Sequence, residues 1–336
     1  MDTNLETIRT KIRRLTRSPS TAQISNIELN KYINRFVLYD FPEHLRLFSL
    51  RTTLTFYTKP YVDTYETTDV VETDPLYNFK NKHTTIHPPV YVGGYYVAFS
   101  QSRDQFYAGF PLTNNVSRIG TGDGAVTNFD GTLTGKPVLQ NNVTITSIDA
   151  NNLGITLVDV PRIDGITGYP TQMGDLVTPD DVISRGTINY VTGVYNLTFV
   201  IAPAAAAPIY SHTIPYQPSR PNMVLYYNNK FVMRPVPDKV YPVVLDAYIR
   251  PTELLADNQV PDMEQYSEYI AYGAAKKLFE DRMDMDSVQM IMPEFKQQET
   301  LCLRRTLVQQ SNERVATIYS GQTGFEGGWN KSGTYY

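Results

Sequence analysis

The chain has 336 residues, 41% hydrophobic and 19% charged, with a formal net charge of −4, enough for two compact domains or one core carrying a large insertion. The near-neutral balance argues against a dedicated nucleic-acid binder, which carries a basic excess; the single cysteine, Cys302, rules out an internal disulfide framework or a cysteine-rich zinc site. No apolar run approaches the roughly 18 residues that a bilayer span needs, and 25 tyrosines with 22 prolines suit rigid β structure and protein contact surfaces better than disorder.

The N-terminal stretch MDTNLETIRTKIRRLTRSPS is basic and lacks the apolar core of a secretory signal, so a chain made in a reducing compartment is expected. Leu5, Ile8, Ile12 and Leu15 fall on one stripe of a helix over 4–17. Its basic residues, Arg9, Lys11, Arg13, Arg14 and Arg17, have three readings: contact with phosphates, contact with an acidic partner protein, or a solvated face. Ser18-Pro19-Ser20 stops the helix. Ser25 and Glu28 have capping-box spacing and open a second helix burying Leu29, Tyr32, Ile33 and Phe36, which ends near Phe41-Pro42. Residues 1–48 thus read as a helical hairpin.

From about Ser49 the apolar period changes to two, and turn signals arrive every 8–12 residues for some two hundred residues, the pattern of a sandwich or barrel. We divide this span into a β extension over 49–111, an inserted module over 112–202, and a β return over 203–260. The Ala/Pro segment IAPAAAAPIY reads as a linker closing the module. Gly120, Gly122 and Gly124 imitate a phosphate-cradling loop, but no helix follows them, so a hairpin turn is expected. His83 and His87, four apart in extended chain, would not converge on a metal.

Helix returns over 262–283. Asp262 is placed as N-cap with Gln265 completing a capping box. This helix displays Tyr266, Tyr269, Ile270, Gly273 and Ala274, and its small residues would admit a close neighbour. Glu280, Asp281, Asp284 and Asp286 either hold a divalent cation or cap and solvate helix ends. Pro293 suits the first position of a last helix over 293–314, with Cys302 as a small buried hydrophobe. Residues 261–315 form the C-terminal helical region. The tail, 316–336, spaces Tyr319, Phe325, Trp329, Tyr335 and Tyr336 between glycines, as anchors on a partner or as a disordered terminus. The expected fold class is α+β: a helical bundle built from both chain ends with a long all-β, sandwich- or barrel-like insertion. No catalytic motif is present, so no enzymatic activity and no cofactor or metal is expected.

The stretches IRTKIRRLTRSPSTAQISNIELNKYINRFVLYDFPEHLRL and YIRPTELLADNQVPDMEQYSEYIAYGAAKKLFEDRMDMDSVQMIMPEFKQQETLCLRRTLVQQSNERVATIY resemble head-to-tail adaptor (connector) proteins of tailed bacteriophages, most of all those of podophages with elongated heads. The resemblance covers about 7–60 and 240–320. It implies a virion structural protein of the neck or tail, assembled in the host cytoplasm as a ring of twelve copies beneath the portal protein and joined below to tail tube or nozzle proteins. The residues at 266–274 would then pack subunits together, the aromatic tail would dock on the portal, and DNA would pass through the channel without specific recognition. Small adaptors lack the insertion, which looks like a β module of phage tail and fibre-associated proteins and is expected to decorate the neck or dock tail fibres. The alternative is a tail or fibre-associated component that binds a receptor or carbohydrate.

Overall fold

A computed structural model describes residues 3–45, 47–68 and 71–311. Its helices, in chain order, are α1 (Leu5–Leu15), α2 (Asn26–Arg35), α3 (Phe41–His44), α4 (Phe79–Lys82), α5 (Arg103–Gly109), α6 (Ser267–Asp281) and α7 (Met285–Ser311). The expectation of a helical bundle built from both chain ends is corrected. The protein is mostly β, about 28% helical, with two barrel-like sheets of seven and eight strands. Fifteen strands among the described residues fill most of the span from Arg51 to Ile249, and two of the three buried apolar clusters lie in the sheets, so strands rather than the terminal helices bury most of the core.

Contacts divide the chain into two units: the described parts of Met1–Thr52 and Tyr248–Tyr336, and Thr53–Ala247. In the first, α6 is the hub on which α1, α2 and α7 each pack. Asn4 caps α1 by accepting the Thr7 N–H, and Leu5, Ile8 and Ile12 turn inward. Ser25 caps α2 by accepting the Glu28 N–H at 3.1 Å. The chain then widens into a π turn, Phe36–Asp40, before α3. The extra residue of a π turn rotates the residues after it about the helix axis, and Phe36, Val37 and Phe41 are all buried. Phe36 and Phe41 join Tyr269 and Phe295 in an aromatic cluster, with Phe36–Tyr269 ring centroids at 5.3 Å and Tyr269–Phe295 at 5.0 Å. Buried Asn34 closes this unit by donating to the Leu254 carbonyl and accepting the Leu254 N–H, both at 2.9 Å.

Two helix boundaries differ from expectation. Asp262 caps no helix; its carboxylate accepts the Thr252 N–H and hydroxyl, both at 2.7 Å. α7 begins eight residues before Pro293, which lies inside it. Asp284 starts that helix by accepting the Ser287 N–H at 3.1 Å. The carbonyl that Pro293 cannot satisfy belongs to exposed Gln289, where water can replace the lost bond.

The strands are β1 (Arg51–Tyr57), β2 (Thr64–Glu66), β3 (His83–Val92), β4 (Tyr95–Ser100), β5 (Asn115–Thr121), β6 (Asn128–Thr132), β7 (Thr144–Ile148), β8 (Gly154–Ile163), β9 (Pro170–Thr178), β10 (Asp181–Asn189), β11 (Val194–Thr198), β12 (Pro208–Thr213), β13 (Met223–Tyr227), β14 (Lys230–Arg234) and β15 (Pro242–Ile249). The first sheet runs β1-β15-β3-β4-β13-β14-β2. Its core holds Phe56, Tyr65, Phe79, Val90, Phe231 and Leu245. Asn228 and Asn229, with φ of 50° and 59°, make the tight turn of the β13–β14 hairpin.

The second sheet runs β5-β12-β7-β8-β9-β10-β11-β6. Chain neighbours β5 and β6 lie at its two ends, joined only by residues 122–127. Eight flat strands at about 4.8 Å spacing would put those edges about 34 Å apart, and so short a connection reaches only roughly 25 Å. The sheet therefore curls. Across its interior the Tyr195 hydroxyl on β11 reaches the Ile119 carbonyl on β5 at 3.4 Å. The enclosed core contains Ile145, Leu157, Leu176, Ile188, Tyr190, Leu197 and Ile209.

Two expectations change here. Gly120 to Gly124 form no hairpin, because β5 pairs with β12 and β6 with β11. The Gly122 N–H instead donates to Ala207 O at 2.8 Å, and a Cβ on Gly122 would lie 2.4 Å from Ala204 O. The supposed linker is thus the packing partner of that loop. It leads into β12, which pairs with both β5 and β7, so the module extends to Thr213 rather than closing at 202.

Candidate functional site

The basic residues of α1 do not form one free stripe. Arg9 is 4% exposed and ion-pairs with Asp257. Lys11 reaches Glu268 at 3.0 Å and lies over the Tyr272 ring. Arg13 donates to Ile24 O and Asn26 Oδ1, both at 2.8 Å, and to Ser18 O and Ser20 O. These three tie α1 to its own unit. Arg14 and Arg17 are exposed.

The residues expected to pack against a neighbouring copy are spent inside the chain. Tyr266, Tyr269, Ile270 and Ala274 are each at most 2% exposed and belong to the core of their own unit. Gly273 faces the Phe36 ring, where a Cβ would lie 2.2 Å from two ring carbons. The close neighbour anticipated from its small size is that side chain. As a subunit-packing surface these five residues are corrected, because buried atoms offer nothing to a second molecule. The aromatic tail residues Tyr319, Phe325, Trp329, Tyr335 and Tyr336 lie outside the described residues.

The acidic group at the α6–α7 junction disperses into separate partnerships. Asp281 accepts the Tyr32 hydroxyl at 2.6 Å, Glu280 pairs with Lys276 at 3.6 Å, and Asp284 caps α7. The bond to Asp281 raises the Tyr32 phenol to about 12. Among the described residues no group of three or more His, Cys, Asp or Glu could hold a metal ion, and no helix is long and apolar enough to cross a membrane. His83, at the start of β3, stacks on Phe79 with ring centroids 4.4 Å apart, and burial lowers its pKa.

Cys302 is 3% exposed, and burial pushes its thiol up to about 12. The folded state thus favours the thiol: the stability it contributes is whole below pH 9, its ordinary value, and is lost as pH rises through 12. Since only the thiolate is a nucleophile, native protein at pH 8 is expected to resist iodoacetamide and to be alkylated at once in denaturant. Mass spectrometry of the pulse-labelled chain checks this, and equal labelling rates in both states would contradict the burial.

Within Thr53–Ala247, a cleft of about 730 Å³ opens between the two sheets. One wall carries Asp63, Glu66, Lys230 and Arg234 from β2, β14 and their approaches, with Arg103 and Tyr107 from α5 beside them. The other is the turn 139–142 together with Gly168–Pro170. The ionic side chains are largely matched: Arg234 to Asp63 at 2.8 Å and Lys230 to Glu66 at 2.5 Å. The Arg103 guanidinium lies 5.4 Å from the Tyr227 ring centroid and 5.9 Å from that of Tyr107.

The opposite wall is pinned from below. Buried Asp159 accepts the N–H groups of Asn141 at 2.7 Å and Val143 at 2.8 Å, although desolvation still raises its pKa. Gln140 Nε2 donates to Thr171 O and Asn142 Nδ2 to Gln140 O, both at 2.8 Å. Tyr169 is anchored by its hydroxyl on Asp74 at 2.9 Å, with the Lys59 ammonium 4.2 Å from its ring centroid. Sequence reasoning missed this cleft altogether. Its lining runs from Asp63 to Arg234 with no shared motif, and only sheet packing assembles it.

Compared with known protein families the chain matches none, and no curated protein is significantly similar to it.

Proposed function

We propose that this chain is a virion structural protein: a head-to-tail adaptor that assembles as a ring below a portal protein and joins it to the tail. The supporting observation is a coincidence of boundaries. The two stretches that resemble adaptors, about 7–60 and 240–320, are far apart in sequence, yet they largely coincide with one compact unit drawn from Met1–Thr52 and Tyr248–Tyr336. The intervening 195 residues, 53–247, form a separate unit, as an insertion into such a framework would.

On this reading the subunit contacts fall on other surfaces than the helix 266–274. Met283, Met285, Met290, Leu301 and Leu303, on α7 and the turn before it, are between 39% and 87% exposed. Methionines adapt to irregular partners and are enriched at interfaces. A cyclic ring needs two different faces per subunit, and exposed Ile27 and Tyr39 on the α2–α3 side offer a second. The aromatic tail takes the portal contact, and the β unit decorates the neck or docks fibres.

Electron microscopy of the full chain mixed with the portal protein of the same virus tests this. Rings of this chain seated on the portal are expected. The double variant Met290→Glu, Leu301→Glu should lose the rings at an unchanged unfolding temperature, since both side chains already face water. A chain ending at Ile318 should keep its stability and lose the portal. If wild-type protein never joins the portal, the adaptor reading falls.

A further inference from the structure

We propose that the cleft between the two sheets of Thr53–Ala247 is a binding site for a neutral oligosaccharide. The inference stands independently of the adaptor reading, because it rests on the cleft alone.

The volume, about 730 Å³, lies within the range of small-ligand sites, about 300–1,000 Å³. Charge decides the ligand class. Four of the five ionic side chains lining the cleft are joined in the Arg234–Asp63 and Lys230–Glu66 pairs. An anionic ligand would have to take Arg234 or Lys230 from its carboxylate, leaving that carboxylate uncompensated, which is costly where Arg234 is 6% exposed. The fifth, Arg103, already lies over two tyrosine rings.

What the walls still offer is neutral and planar. Gln140 and Asn142 each donate an amide nitrogen to the backbone, leaving their carbonyl oxygens to accept. Asn141 is exposed and held at φ 57° by Asp159, and its side-chain amide has no hydrogen-bond partner among the described residues. Asp63 is filled by Arg234 and the Thr64 hydroxyl, while Glu66 keeps a second oxygen that can accept. Planar groups that donate and accept side by side match adjacent sugar hydroxyls, while half-buried Tyr107 presents a ring to the apolar C–H face of a pyranose. Because Asp159 and the Gln140–Thr171 bond fix the turn beforehand, little ordering entropy opposes binding.

The site draws on both sheets, so it belongs to the intact β unit and not to the inserted module by itself. Saturation-transfer NMR and calorimetry on the full chain test it, with neutral hexose and N-acetylhexosamine oligomers of two to four units, sialylated and uronic-acid oligomers, and inorganic phosphate. At least one neutral oligomer is expected to bind. Asn142→Ala and Tyr107→Leu, one on each wall, should each weaken that binding about tenfold while circular dichroism and a cooperative thermal transition show the fold retained. Silence from every neutral oligomer, response only to acidic oligomers or phosphate, or binding that both variants leave intact would each overturn the proposal. No portal is in the assay, so its failure leaves the adaptor reading standing, and failure to form rings leaves this one.

Discussion

Replacing Gly273 with alanine is expected to destabilise the helical unit by about 1–3 kcal/mol, the usual cost of overpacking. The sign is not obvious, because alanine is the better helix former by about 1 kcal/mol. Geometry decides it. The new Cβ would sit 2.2 Å from two carbons of the Phe36 ring, so the ring must move. It stands in the π turn between Phe41, Tyr269 and Phe295, with centroids at 6.0, 5.3 and 6.2 Å. Urea denaturation of Gly273→Ala, Phe36→Leu and the double variant measures the coupling. Alanine should cost much less in the Phe36→Leu background, where there is no ring to strike. Equal costs in both backgrounds would mean that the clash is not what glycine avoids.

Excising Asn115–Thr213 and joining the ends through two glycines should give a soluble, folded protein, whereas excising 112–202 should give an aggregating one. β5 and β12 are antiparallel neighbours with Asn115 opposite Thr213, so the module enters and leaves at the same place, with Cα atoms about 5 Å apart across such a pair. The shorter-reaching cut leaves β12 behind after removing both of its partners, β5 and β7. That exposes an unpaired strand and the otherwise fully buried Ile209, a template for association. The cleaner excision still has a cost. Tyr169 leaves the core of the first sheet, where it meets Tyr65 at 5.7 Å, and its burial is worth about 1.5–3 kcal/mol. Size-exclusion chromatography and circular dichroism separate the two outcomes. A soluble 112–202 deletion beside an insoluble 115–213 deletion would refute the module boundary drawn here.

Features carried by neighbouring residues are legible in the amino-acid order. The stripe Leu5, Ile8, Ile12, the Ser25 cap and the buried Cys302 each follow from local spacing or chemistry, and the alternation of the central span is that of strands. The same local grammar fails where a residue's best partner lies elsewhere. Asp262 has ideal capping spacing and is drawn to Thr252 instead. Pro293 reads as a helix start because the cap at Asp284 looks like a loop. An alanine-rich stretch reads as a linker because nothing in it reveals that the loop at Gly122 packs there.

What the amino-acid order determined alone is the helical character of the chain ends and the strand alternation of the central span, though not α4 and α5 within it, since backbone preference and side-chain period act over only a few residues. Tertiary structure alone decided that β outweighs helix in the architecture and that β13 runs parallel to β4. It also decided that Arg9 and Tyr269 serve the inside of their own unit, and that side chains from Asp63 to Arg234 face one cleft. Those outcomes depend on which surfaces meet, and pairing across many residues is settled by the burial and hydrogen bonding of the whole chain at once.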